Sequence, residues 1–266
     1  MQFHVTPLNI VLSIIAALLG GAQNSVAGGG SFLLFPTLLV IGMPPVIANA
    51  TNTAALWPGS IASVFGYREE VGLVWRTQKR LFALVIVSLI GGIIGAALLL
   101  GTSSDSFTKL IPFLLLFATL LFAYGNRLSA AVRASTQRLK LPGWAMTALL
   151  WAMQLITAIY GGYFGAGIGI VMLAVLAIWG MKNIHEMNGI KTLLATCING
   201  VAVAYFVANG KVDFPSVLWM IGGAVVGGYF GALLGRLVNP VRMRQFITAL
   251  AALLTVIFFA HVYFGI

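Results

Sequence analysis

Apolar runs long enough to cross a bilayer make up most of this sequence, and nearly all of its charge falls in the short stretches between them. Of the 266 residues only 8% are charged and 60% are hydrophobic. A soluble domain carries roughly a quarter charged residues and could not hide so much apolar surface. Within a bilayer every backbone polar group must be satisfied internally, so apolar runs of this length imply helices. The fold class is therefore an all-α polytopic membrane protein. A formal net charge of +10 would suggest a nucleic-acid partner in a soluble protein. Here the basic residues sit in loops, so membrane topology accounts for them and no nucleic-acid partner is expected.

The chain also repeats itself. Asn49, Asn52, Thr53 and Ser60 recur 139 positions later as Asn188, Lys191, Thr192 and Asn199. Gly28 and Gly30 recur at the same distance as Gly167 and Gly169. Further on, Gly91, Gly92, Gly95 and Ala96 match Gly227, Gly228, Gly231 and Ala232 at a shift of 136. Apolar elements are expected near 7–22, 29–42, 46–66, 81–100 and 109–125, and again near 144–161, 166–180, 187–208, 214–235 and 244–263. This divides the chain into a first membrane repeat, 1–125, a basic cytoplasmic linker, 126–143, containing Pro142 and Gly143, and a second membrane repeat, 144–266. Glycines interrupt the start of each half: Gly28, Gly29 and Gly30 in one, and Gly161, Gly162, Gly165, Gly167 and Gly169 in the other. Several pieces are shorter than the ~20 residues a crossing needs. The expectation is about 8–10 membrane helices, including broken or half helices. The small residues at 91–96 and 227–232 read as helix-packing faces.

Charge sets the orientation. Arg68, Arg76, Lys79, Arg80, Arg127, Arg133, Arg138, Lys140, Lys182, Arg236, Arg242 and Arg244 all fall on one side if each half has five elements. By the positive-inside rule that side is cytoplasmic, leaving Lys109 and Lys211 outside and Lys191 within the membrane. An odd number of elements gives the halves opposite orientation, so two inverted structural repeats are expected. Both termini then lie in the periplasm or outside the cell, and the protein resides in the inner (plasma) membrane. The apolar N-terminal run has no basic residue before it, so a cleaved signal peptide is not expected. Trp75, Trp144, Trp179 and Trp219 near element ends read as interfacial anchors.

In a helix over 188–203, Asn188, Lys191, Thr192, Ala195, Thr196 and Asn199 share one face. Asn49, Asn52, Thr53 and Ser60 occupy the matching face of the first half. Two related polar stripes turned inward form a ligand-bearing cleft of the kind found between the halves of secondary transporters. Lys191 is its one charged member, and no acidic residue lies deep in the apolar elements to offset it. Placing a lysine at mid-membrane costs roughly 2.5–3.5 kcal/mol, so an anionic guest is its natural partner. Short helices starting after Gly30 and Gly169 would add converging backbone N–H groups. The expected substrate-binding set is Asn52, Thr53, Lys191, Thr192, Asn199, Gly29, Gly30, Gly167 and Gly169. His185 and Glu186 are candidates for proton coupling. The rival reading turns Lys191 back towards Glu186 or the interface. The three histidines are scattered, and the lone Cys197 reads as a packing residue, so no metal site, disulfide or cofactor is expected. No Walker loop and no nucleophile–base pair is present, so the chain is not expected to be an enzyme.

The residues 28–69, GGGSFLLFPTLLVIGMPPVIANATNTAALWPGSIASVFGYRE, and 165–206, GAGIGIVMLAVLAIWGMKNIHEMNGIKTLLATCINGVAVAYF, together with Asp213, resemble the TauE/SafE sulfite-exporter-like permeases. The resemblance covers nearly the whole chain. It implies transport, by export or uptake, of sulfite, sulfonates or related sulfur oxyanions. The family pattern has Gly-Thr-Lys where this chain has Gly189, Ile190 and Lys191, one hydroxyl fewer. The expected partners are a small anionic substrate and the lipid bilayer, with homo-oligomer formation left open. A channel-like anion pore, or a membrane subunit of a sulfur-metabolite enzyme, remain the alternatives. Export of a cation or metal would require it to pass Lys191.

Overall fold

The computed structural model describes residues 6–26, 28–78, 80–138, 142–234 and 240–265, with side chains only in part over 126–138 and not at all over 240–244. Five helical segments, α1 (Pro7–Val26), α2 (Ser31–Val40), α3 (Pro45–Gly66), α5 (Arg80–Gly101) and α6 (Ser104–Arg138), match five in the second half. Those are α7 (Gly143–Tyr163), α8 (Ile168–Ile178), α9 (Ile184–Ala208), α10 (Phe214–Leu234) and α11 (Pro240–Phe259), which closes with a π turn over Ala260–Phe264. The remaining helix, α4 (Arg68–Thr77), has no counterpart among the described residues of the second half. Among the described residues, seven helices are long and apolar enough to cross a membrane. The helices α2 and α8, with 10 and 11 residues, are the expected half helices. The 22 residues of α3 have the length, but its buried Asn49, Thr51, Asn52, Ser60 and Ser63 lower its apolar character.

Two segments differ from the sequence expectation. The basic stretch after Gly66 is not a loop but α4, whose Glu69 and Glu70 lie in the first turn and Arg76 in the last, each sign favourable to the helix dipole. It buries Val74 and sets Val71 against Gly189 of α9. The expected linker is mostly helix as well, because α6 continues to Arg138. Residues 126–138 hold no glycine or proline, and a helix of 35 residues reaches about 50 Å, well beyond a hydrocarbon core of about 30 Å. Lys79, Lys140 and Arg236, and the side chains of Arg133, Arg138, Arg242 and Arg244, lie outside the described residues.

The two halves exchange partners. In the first half α1 packs on α10 of the second, and α7 packs correspondingly on α5. Glycine makes this contact close. A Cβ at Gly227 would strike the Leu18 carbonyl oxygen, and one at Gly95 the Ile159 carbonyl oxygen. Gly228 lies against Gly59 of α3, and Gly92 against Ile198 of α9 and Gly162 of α7. The packing role expected for these glycines is therefore met on both sides.

Equivalent residues also touch each other. Trp57 Nε1 donates to the carbonyl oxygen of Thr196, 139 positions away, at 3.0 Å. The hydroxyls of Thr119 and Thr255, 136 positions apart, meet at 3.1 Å between α6 and α11. Residues related by a repeat can touch only near the axis that relates the halves. Along the α3–α9 contact, Tyr67 and Glu70 lie beside Gly189, and Trp57 beside Gly200. The sequence numbers run in opposite senses, so these two equivalent helices pass each other antiparallel. That arrangement is consistent with inverted repeats.

Gly66 against Ala232 and Tyr67 against Gly189 place the ends of α3 and α10 and the start of α9 at one end of the bundle. Arg68, Arg76, Arg80 and Lys182 gather there. Asp105, paired with Lys109 at 2.8 Å, and the turn at Lys211 lie at the other end. Trp75 and Trp144 are exposed, as interfacial anchors should be. Trp219 is different: its Nε1 is buried without a hydrogen-bond partner, and the ring packs on the core.

Candidate functional site

Where the two glycine breaks meet, the bundle leaves a cavity. Gly28 adopts a φ of +70°, and a Cβ there would lie 2.6 Å from the Cα of Gly169. The breaks are thus in backbone contact, and α3 and α9 close the remaining sides. The cavity holds about 550 Å³ of atom-free space, including the solvent at its mouth. Five of the expected residues line it: Thr53, Gly169, Lys191, Thr192 and Asn199.

Lys191 is buried, with 1% of its surface exposed. Its ammonium is not without partners, as the sequence suggested. It donates to the carbonyl oxygens of Ser25 at 3.0 Å and Val26 at 3.3 Å, across a separation of more than 160 residues. These are the last residues of α1, where carbonyls lose their helical partners and the helix dipole is negative. A hydrogen bond to a charged donor contributes about 1.5–3 kcal/mol, which offsets much of the cost of burying the amine. Neutral acceptors leave the positive charge itself uncompensated. The rival reading fails on geometry, since Glu186 Oε1 instead accepts from Asn183 Nδ2 at 3.2 Å.

The neighbours of Lys191 divide into those facing the cavity and those behind it. Thr192 Oγ1 is buried with no hydrogen-bond partner. Thr53 donates to the carbonyl of Asn49 at 2.8 Å and presents only its lone pairs. Asn52, the counterpart of Lys191, does not line the cavity; its Nδ2 donates to Ser31 Oγ at 3.0 Å. Ser31, at the first turn of α2, does line it, as do Asn24, Ser25, Ser60 and Ser63. Of these only Ser60 belonged to the polar stripes legible in the sequence. The signal for Asn24, Ser25 and Ser31 was their position on either side of the Gly28–Gly30 break.

Three of the expected glycines serve packing instead. Gly29 lies against the ring of Phe122 and the amide of Gln23, and Gly30 against the carbonyl of Gly20. Gly167, at φ +78°, caps α8 and faces Ala118. Each sits at a close approach to a neighbouring segment, and none of the three lines the cavity. His185 and Glu186 occupy the first turn of α9, where the Asn183 side chain caps the His185 amide at 2.9 Å, and neither lines the cavity. Ile190, standing where the family pattern has threonine, is fully buried in an apolar cluster with Met172, Leu194 and Ile198. The change therefore removes no donor from the cavity. Among the described residues no cluster of His, Cys, Asp or Glu could hold a metal ion.

Residues 13–258 match the family described as sulfite exporter TauE/SafE. The chain belongs to this family. A TauE/SafE relative in Haemophilus influenzae, a probable membrane transporter protein, is 24% identical over 234 residues, covering 87% of each chain. The probable membrane transporter protein YfcA of Escherichia coli K12 is 28% identical over 235 residues, 87% of this chain and 82% of its own. A third, the probable membrane transporter protein ORF9 of a Sinorhizobium species, is 26% identical over 242 residues, 88% and 83% of the two chains. No solved structure matches at a significant level. Family and fold together make this TauE/SafE member a multi-pass membrane transporter.

Proposed function

We propose that the protein is a secondary transporter, or facilitator, that exports a small sulfur-containing oxyanion such as sulfite or a sulfonate across the inner membrane. The observation that carries this reading is Lys191, a buried ammonium with no carboxylate partner among the described residues, facing a cavity built from both halves. The guest would be held by Lys191, Thr192 and Asn199 from one half and by Ser31 and Asn24 from the other. Access would alternate as one inverted half rocks on the other about the Trp57–Thr196 and Thr119–Thr255 contacts. With the cell interior negative, anion export is favoured by about 2.3 kcal/mol per charge per 100 mV and needs no buried carboxylate relay.

Reconstituted into vesicles, the protein should carry labelled sulfite or methanesulfonate saturably, above the leak of empty vesicles. Flux that never saturates would favour a pore, and chemical conversion of the anion in detergent would favour an enzyme. Orientation has its own test. In a Cys197→Ser background, a cysteine at Lys211 should react with an impermeant thiol reagent added outside the cell, and one at Arg76 only after permeabilisation. The reverse pattern would overturn the placing of the basic face in the cytoplasm.

A further inference from the structure

Among the described residues lining the cavity, Lys191 is the single ionisable one. An ammonium has three N–H groups, and two of these are directed at the carbonyls of Ser25 and Val26. One is left for a guest. The other donors available are neutral. Thr192 Oγ1 has no partner, and its residue is 4% exposed. Ser31 Oγ accepts from Asn52 Nδ2, so its own proton is free to turn into the cavity. Asn24 gives one amide proton to Ser60 Oγ at 3.0 Å and retains another. The site therefore offers several hydrogen bonds and only one positive charge.

We infer that the site selects by charge state, accepting compact monoanions and rejecting dianions. This rests on the anion-transport reading above and deepens it. A monoanion forms a neutral pair with Lys191. A dianion in the same place leaves one uncompensated charge buried between the halves, and hydroxyl and amide donors cannot neutralise it. At position 52, the repeat counterpart of position 191, the first half carries a neutral asparagine turned to Ser31 rather than a second cation. Among sulfur oxyanions the distinction separates bisulfite and alkyl sulfonates from the sulfite dianion, sulfate and thiosulfate.

The test uses the full chain in vesicles with the membrane potential clamped at zero, so that driving force does not differ between charge states. Methanesulfonate should be carried more than about 100-fold more efficiently than sulfate or thiosulfate, the discrimination expected when a charge is buried unpaired. At fixed total sulfite, the ratio of sulfite flux to methanesulfonate flux should fall by about tenfold per pH unit once sulfite is mainly dianionic. Methanesulfonate does not titrate in this range, so the ratio cancels any titration of the protein. In folded Asn52→Lys the sulfate-to-methanesulfonate ratio should rise at least about tenfold; if that variant does not fold, the pH ratio of the unaltered protein decides. Comparable fluxes of sulfate and methanesulfonate, or a flat pH ratio, would overturn charge-state selection and leave anion transport standing. Absence of protein-dependent flux for every one of these anions would overturn both.

Discussion

Lys191→Ala is expected to lower saturable anion flux by more than about 100-fold, while Lys191→Arg, which keeps the charge, retains a measurable fraction of it. The magnitude follows from removing the one cation among the described residues lining the cavity: a guest anion would then be buried against neutral donors alone, a penalty of several kcal/mol. A purely structural role for the amine predicts something else. It joins α9 to the last turn of α1, so its loss could act by loosening the two halves. Lys191→Met separates the two readings. Methionine fills most of the buried volume, and apolar replacement of a buried charge is often neutral or stabilising. The Met variant should therefore melt close to the unaltered protein in detergent yet be as inactive as Ala. Normal saturable flux in a folded Met variant would remove the charge from the mechanism.

Gly28→Ala is expected to cost about 2–5 kcal/mol of stability and to abolish transport. Two independent penalties add. A non-glycine residue at φ +70° costs about 1–2 kcal/mol, and the new Cβ would stand 2.6 Å from Gly169 Cα, where overpacking adds about 1–3 kcal/mol. The obstacle is backbone on both sides, so no side chain can swing away. Gly222→Ala in α10 is the matched control, since a Cβ there meets nothing within 4 Å. Thermal unfolding in detergent should drop markedly for the first and hold or rise slightly for the second. Equal behaviour of the two would show that the contact between the breaks does not constrain the fold.

Much of the architecture was legible because it rests on hydropathy and on spacing. The five paired elements, the half helices at the glycine breaks and the packing glycines at 91–95 and 227–231 all follow from where small and apolar residues recur. Lys191, Thr192 and Asn199 face one cavity with Thr53 because helical periodicity puts them on one face, whatever the partner helix. What escaped was set by tertiary contacts. Asn52 shares the register of Lys191, but its short side chain reaches only Ser31 and is spent positioning that hydroxyl. Gly29 and Gly30 look like ligand-cradling glycines, yet Phe122 and the Gly20 carbonyl already occupy the space beside them. Helix α4 is hard to see in the sequence because its ten residues carry four formal charges and only four large apolar side chains, Val71, Leu73, Val74 and Trp75. The exchange of α1 and α7 between halves left no local mark, since a small-residue face does not name its partner.

Transport by this route requires an anion beside Lys191, and its presence there can be observed directly. Crystals grown with selenite, a heavier analogue of sulfite, should give an anomalous scattering peak inside the cavity, within hydrogen-bonding distance of Lys191 Nζ and the hydroxyls of Thr192 and Ser31. A peak at the bundle surface with the cavity unfilled, or a Lys191 amine turned out towards the lipid headgroups, would contradict it.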